Sequence, residues 1–394
     1  MANPKIMLLS TGEEDKYLTG DPTDSFFKDS HKHHSNFSQR WSTIPKAYST
    51  APTQIPQEGD LLYNLWLVVN GVDKGSSQQP FSAGILDIID TITIKCDDRV
   101  LQTIDYNFIN IYNKINTNNN QFKQQIEHTC KSLSGDNTTV CLRLPFWFTK
   151  NPGSALPIWL LDKPNLTISL TFKSQYTHYG NNIDFNEVRY IAQWINLTSK
   201  EKDVFKNSSL EYLIEQVDIV NKKNLRWGKS AKVDIPRSKF VKYLVWNVIN
   251  KARWANSDLG RGANPNLNGE SEPWIDKSTL SLDGIPLIND KKSYFTRLTN
   301  RFTYFNSPNF SRSFDGSGGH LNDLHIHSHS FCTDPGKFQS TGFLTTEKYS
   351  NFTLEISRCS NWVDDDEWDP HLHVYVVRHN IMRIKDGVLN ILHN

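Results

Sequence analysis

Apolar residues recur at every second position along most of this chain. Leu166, Ile168, Leu170 and Phe172 alternate with Thr167, Ser169, Thr171 and Lys173, the pattern of a strand with one face in a core and one in water. Ile92, Ile94 and Cys96 alternate with Thr91, Thr93 and Lys95, and Phe352, Leu354 and Ile356 with Thr353 and Glu355. Further strands are predicted at Leu61–Val69, Phe240–Ile249 and His373–Ile384. Asp283-Gly284 between Leu280/Leu282 and Ile285/Leu287 is a hairpin turn signal. Helical periodicity is scarce and short, so the chain reads as antiparallel all-β: a sandwich, a barrel or a jelly roll.

The strand pattern repeats. Asn165-Leu166-Thr167-Ile168-Ser169-Leu170 echoes Asn351-Phe352-Thr353-Leu354-Glu355-Ile356, and Asp90–Asp97 echoes Asp276–Asp283. Both pairs share an offset of 186 residues, 351 less 165 and 276 less 90. A unit of that size is too long for a solenoid repeat and suits one eight-stranded jelly roll with ordinary loops. Between the copies, Thr198-Ser199-Lys200-Glu201 is a capping box that opens a short helix through Phe205, and Glu211–Gln216 starts a new strand. The expected organisation is an N-terminal segment at 1–24, a first jelly roll at 25–197, a linker with a short helix at 198–209 and a second jelly roll at 210–394.

Composition fits that plan. The chain has 394 residues, 37% hydrophobic and 22% charged, enough for two domains that need no metal or disulfide staple. The net charge is +1 without a long basic block, which argues against direct nucleic-acid binding. Cys96, Cys130, Cys141, Cys332 and Cys359 form no CxxC pair and are odd in number, as expected of a reducing compartment. The opening residues Met1–Ser10 are too short an apolar stretch for a signal peptide, and no run of 18 apolar residues occurs, so synthesis and use in the cytosol are expected.

Candidate chemistry is sparse. His325, His327 and His329 alternate on one strand face and could give a metal two ligands, but no partner completes the set, and a polar strand face is the expectation. His31, His33 and His34 read as solvated or interface histidines. Asp364-Asp365-Asp366-Glu367, flanked by Trp362 and Trp368, lacks the alternate spacing of a calcium loop and reads as a solvated acidic loop. Asp315–His320 is glycine-rich but lacks the ending of a phosphate-binding loop, and no GxSxG elbow is present. Ser257–Glu272, rich in Gly, Asn and Pro, reads as a long loop. Seven sequons, at Asn36, Asn137, Asn165, Asn196, Asn207, Asn309 and Asn351, lack a secretory route. No catalytic, cofactor or metal residue is assigned, and no enzyme activity or cofactor is expected.

One segment is distinctive. Pro145–Pro157 carries three prolines, a glycine and the aromatics Phe146, Trp147 and Phe148, with Lys150 its only ionisable side chain, and it reads as a corner that plugs a core. It resembles the corner between strands in the double jelly-roll major capsid proteins of nucleocytoplasmic large DNA viruses. The resemblance extends to Gly20–Lys28 with His34-Ser35-Asn36-Phe37, similar to the family's GxPxxxFFK…HTNF opening. It continues through Glu211–Gln216, Lys337–Phe343 with Asn351-Phe352-Thr353, and the final strand Val374–Gly387. Cys96-Asp97-Asp98, Phe343-Leu344-Thr345 and His379 depart from the family pattern.

The resemblance implies two consecutive eight-stranded antiparallel jelly-roll barrels with short helices in loops. It implies a structural capsid protein forming pseudo-hexagonal homotrimers in an icosahedral shell, assembled in the host cytoplasm, with Phe26 and Phe27 contributing to contacts at the capsomer base. Neighbouring capsomers, minor capsid proteins and an inner viral membrane surface are the partners it implies. Alternatives are a minor capsid paralogue, a poxvirus-like assembly scaffold, or a carbohydrate-binding jelly roll using some of the 11 Trp. Against the last, Trp41, Trp66, Trp147, Trp159 and Trp246 are expected to fill cores.

Overall fold

The computed structural model describes residues 12–45, 51–73, 89–116, 137–162, 165–172, 187–206, 210–222, 225, 228–250, 264–265, 271–272, 274–305, 326–360 and 370–393, apart from 24, 30, 32 and 98. Residues 1–36 form one unit, whose described part contains a single helical turn at Lys16–Thr19. All described strands lie in the second unit, residues 37–394.

The first set of strands is β1 (Phe37–Pro45), β2 (Thr53–Gln54), β3 (Leu61–Asp73), β4 (Ile89–Cys96), β5 (Arg99–Asp105), β6 (Asn137–Arg143), β7 (Leu156–Pro157), β8 (Leu166–Phe172) and β9 (Glu187–Leu197). The second is β10 (Leu210–Lys222), β11 (Ser230–Asp234), β12 (Val241–Asn250), β13 (Asn264–Pro265), β14 (Ser271–Glu272), β15 (Ile275–Leu282), β16 (Ile285–Lys292), β17 (His327–Ser330), β18 (Phe352–Arg358), β19 (Pro370–Lys385) and β20 (Val388–Ile391).

Each set folds into two facing antiparallel sheets, with β13 and β14 forming a separate two-stranded ribbon, and the main strands of the sheets correspond one for one. Order β1-β9-β3-β6 matches β10-β19-β12-β17, and β2-β8-β4-β5 matches β11-β18-β15-β16. The register repeats too. Ile94 pairs with Ile168 and Cys96 with Leu166, and 186 residues later Leu280 pairs with Leu354 and Leu282 with Phe352. The turns coincide: Asp97 and Asp283 both take positive φ, and their amides donate to Asn165 and Asn351 carbonyls respectively. Among the described residues the sheets do not close into barrels, and each roll is a pair of antiparallel sheets rather than the expected closed barrel.

The first core joins both sheets of its roll, with Leu62, Leu65, Ile92, Ile94, Leu170 and Trp194 fully buried. Phe146, Trp147 and Phe148 are buried in it as the corner predicts, with Ser154 and Thr149 hydroxyls donating to the Trp147 and Leu144 carbonyls. The second core holds Leu244, Trp246, Leu280, Leu354, Val374 and Val376. Trp41 departs from expectation: it is 53% exposed, because β1 is an edge strand whose outer side no other described element covers.

Candidate functional site at the seam between the rolls

The sheet β10-β19-β12-β17 is buried on both faces. Leu244, Trp246, Val374 and Val376 point into its own core, whereas the intervening Tyr243, Val245, Tyr375 and Val377 join the core of the first roll. Period-2 alternation thus has apolar residues on both sides, as expected for a doubly covered sheet. The seam so formed brings together residues far apart in sequence.

At its centre lies an ionic triad. Lys150 ends the buried helical turn Trp147–Lys150, and its Nζ sits 2.5 Å from Glu215 Oε2 on β10. Lys242 on β12, fully buried, binds Glu215 Oε1 and also donates to the Lys337 carbonyl at 2.9 Å. Lys150 Nζ lies 4.6 Å from the centre of the Tyr112 ring. Burial alone would raise the Glu215 carboxyl, but the two ammonium groups outweigh it and hold it at about 2. Burial likewise opposes the charge on Lys150, and Glu215 more than offsets it, so its pKa is raised. Beside the triad, His379 is pushed down to about 4 by burial first and Lys242 second.

A second cluster seals the seam further along. Asp105 Oδ1 accepts from Phe108 N at 2.7 Å, capping the helix Tyr106–Asn116, while its Oδ2 accepts from the Tyr375 hydroxyl at 2.8 Å. Asn107 and Asn247 exchange carboxamide hydrogen bonds at 3.0 and 3.2 Å, and Asn107 also donates to Tyr375. Burial, then Asp105, raises the Tyr375 phenol well above its usual range, so it stays a donor. Asp162 N donates to Gly387 O at 2.9 Å, and a Cβ on Gly387 would lie 2.8 Å from Asp162 Cβ.

The sequence-level candidates fall elsewhere. His327 is fully buried, stacked on Trp246 with Nδ1 2.8 Å from Thr296 Oγ1, and half-buried His329 packs against Phe331. The expected polar strand face is therefore a buried one, because β17 lies against β12 beneath the segment Phe295–Tyr304. His325, Cys130, the acidic run, Asp315–His320, and Ser257–Glu272 except for β13 and β14 lie outside the described residues. Among the described residues no group of three metal-binding side chains assembles. His31, His33 and His34 are exposed, and Cys96, Cys141, Cys332 and Cys359 are free thiols. Burial pushes the Cys96 thiol up to about 11, the reverse of an activated nucleophile. Lys150, Glu215 and Lys242 escaped the sequence reading; one lysine in an aromatic corner carries no sign of its partner strand.

Residues 25–207 match the family model described as major capsid protein N-terminus. The major capsid protein of Pyramimonas orientalis virus is 23% identical over 413 residues, covering 98% of this chain and 98% of its own length. That of Paramecium bursaria Chlorella virus 1 is 21% identical over 404 residues, covering 91% and 87%. The crystal structure of PBCV-1 VP54 superposes with a TM-score of 0.76 at 16% identity, over 94% of this chain and 100% of that one. The Faustovirus major capsid protein gives 0.68 at 11% identity, over 97% of each. Fold, corner and duplicated register are those of a double jelly roll, and over residues 25–207 the chain is similar to the N-terminal part of major capsid proteins.

Proposed function

We propose that the chain is the unit of a pseudo-hexagonal capsomer, a homotrimer in which the seam inside one chain is repeated between chains. The observation that carries this is the state of the corresponding edges. Inside the chain, the edge strand β5 meets the edge strand β10. Their counterparts in the duplicated fold, β16 and β1, are also edges, and they expose the apolar surface that the seam buries. Leu101 on β5 is 1% exposed and its counterpart Leu287 on β16 is 41% exposed; Phe108 is 1% exposed and its counterpart Tyr294 is 63% exposed. On β1, Phe37 and Trp41 are exposed as well. Packing β16 of one copy against β1 of the next, as β5 packs against β10, covers the exposed apolar residues on both, and three copies close the ring.

Two rolls at 25–197 and 210–394 joined by 198–209 then supply six lobes per trimer. Phe26 and Phe27, both exposed, precede the first described strand and are assigned to base contacts. The role is structural rather than catalytic, with minor capsid proteins and the inner membrane surface as neighbours, no direct nucleic-acid contact, and assembly in the host cytoplasm. Native mass spectrometry at micromolar concentration tests the trimer. A trimer for the wild type and monomers for Leu287→Arg and Tyr294→Ser, with unchanged far-ultraviolet circular dichroism, are expected. A wild-type monomer overturns the homotrimer, and trimers only with a second capsid chain assign the protein as a minor paralogue.

A further inference from the structure

The bulges of the duplicated sheets fix which residues of the two rolls correspond. β3 bulges after Leu62, which pairs with Trp194, and β12 bulges after Val241, which pairs with Arg378. Leu62 and Val241 each lie in the core of their own roll, so the two bulges are equivalent. One residue further along β9 and β19, Ile195 pairs with Gln39 and His379 with Glu215. Gln39 therefore stands where Glu215 stands, and the bulged Tyr63 where the bulged Lys242 stands. Two residues on, Trp41 pairs with Gln193 and Val217 with Val377, which places Trp41 at the position of Val217.

In the second roll this face is covered: Val217 is buried in one cluster with Leu101 and Phe108 of the first roll. In the first roll the equivalent face lies open, with Phe37, Gln39 and Trp41 all exposed. Its polar groups form a row across four strands. Gln193 donates to Gln39 at 2.9 Å, Asn64 to Gln193 at 2.5 Å, and Arg143 to Asn64 at 2.9 Å. Side chains already held by one another lose little freedom when a partner covers them, and an exposed Trp among them is a common anchor of protein interfaces. We infer that the outer face of β1-β9-β3, centred on Trp41 and Gln39, receives the Leu287–Tyr294 side of a second copy, in a seam whose acid position is filled by an amide. The inference rests on the trimer proposed above and adds the receiving face: Trp41 meets Leu287 and Tyr294 as Val217 meets Leu101 and Phe108. The exchange of Glu215 for Gln39 also sorts the two seams. Lys150 finds its carboxylate on the Glu215 face, whereas the same corner docked on the Gln39 face of another copy would bury its ammonium without one, so first roll on first roll is disfavoured.

The test is sedimentation velocity of the full chain over a dilution series. Gln39→Glu keeps the size of the side chain and the oxygen that accepts from Gln193, and it buries an unpaired carboxylate only if this face is covered. The concentration at which the trimer dissociates is expected to rise at least about tenfold for Gln39→Glu and for Trp41→Ser, and less than about threefold for the uncharged Gln39→Met. Far-ultraviolet circular dichroism of all three should match the wild type. If Leu287→Arg dissociates the wild-type trimer while either Gln39→Glu or Trp41→Ser assembles at wild-type affinity, the receiving face is overturned and the trimer stands, with Trp41 left free for another occupant such as a sugar ring. A wild-type monomer overturns both.

Discussion

Glu215 carries two buried ammonium groups on one carboxylate, so its removal and the removal of one lysine are not equivalent changes. Glu215→Ala leaves Lys150 and Lys242 as like charges without a counter-ion inside the seam, and losing one partner of a buried pair costs about 3–5 kcal/mol. Lys150→Met keeps one complete pair and adds apolar volume beside Tyr112, so a smaller loss is expected. Urea midpoints of the two variants check this order, and a Glu215→Ala protein as stable as Lys150→Met would show that the triad does not hold the rolls. Two histidines, His379 beside the triad and His329 on β17, add a pH response. His379 and His329, both lowered to about 4 by burial, bind fewer protons folded than unfolded between pH 4 and the usual 6.5. Their contribution is complete above 6.5 and is lost as pH falls through 4. Glu215, held at about 2, adds a loss that starts below its ordinary 4.5. The unfolding temperature should therefore fall from pH 7 to pH 4, and His379→Gln should flatten part of that fall. A pH-independent midpoint over this window would contradict the buried neutral histidine.

Two hairpins close on glycines of similar backbone and different surroundings. Gly284 has φ +82° with nothing near its absent side chain, whereas Gly387 has φ +76° and rests on the Asp162 backbone of the other roll. Alanine at either position pays the left-handed penalty, on the order of 1 kcal/mol, but only Gly387→Ala must also displace Asp162, so it should be the more destabilising by at least about 1 kcal/mol. Equal chemical-denaturation losses for both would mean that the hairpin β19–β20 does not set the approach of the rolls. These hairpins also show what the chain makes legible. Asp283-Gly284 announces its turn, and the 186-residue echo follows strands β4, β8, β15 and β18 because the same inward positions recur in the same register. A second echo, at 180 residues, sets Ile55-Pro56 with Tyr63 and Trp66 against Ile235-Pro236 with Tyr243 and Trp246. The loop insertions between β3 and β4 and between β12 and β15 change the offset and hide it. Exposure of Trp41 was not legible, since an edge strand and an inner strand share one alternation. Nor was the seam, whose contacts join residues such as Asn107 and Asn247 that only the docking of two sheets brings together.

The whole molecule gains its second core by sharing the first. Ile214, Val217, Tyr243, Val245, Tyr375, Val377 and Met382 of the second roll are buried in one cluster with Leu65, Phe108 and Trp147 of the first. Separating the rolls would expose that face of β10-β19-β12-β17, strand the triad in water and open the Asp105–Tyr375 cluster, so neither roll has a low-energy way to unfold alone. The two rolls are thus expected to unfold in one cooperative step despite a linker of the kind that usually separates independent domains. Scanning calorimetry of the Tyr294→Ser variant, expected to be monomeric, isolates the effect from assembly. A single endotherm with calorimetric and van't Hoff enthalpies in agreement is the expected result, and Glu215→Ala in that background should lower its midpoint without splitting it. Two resolved endotherms in Tyr294→Ser would refute the shared core as the element that couples the rolls.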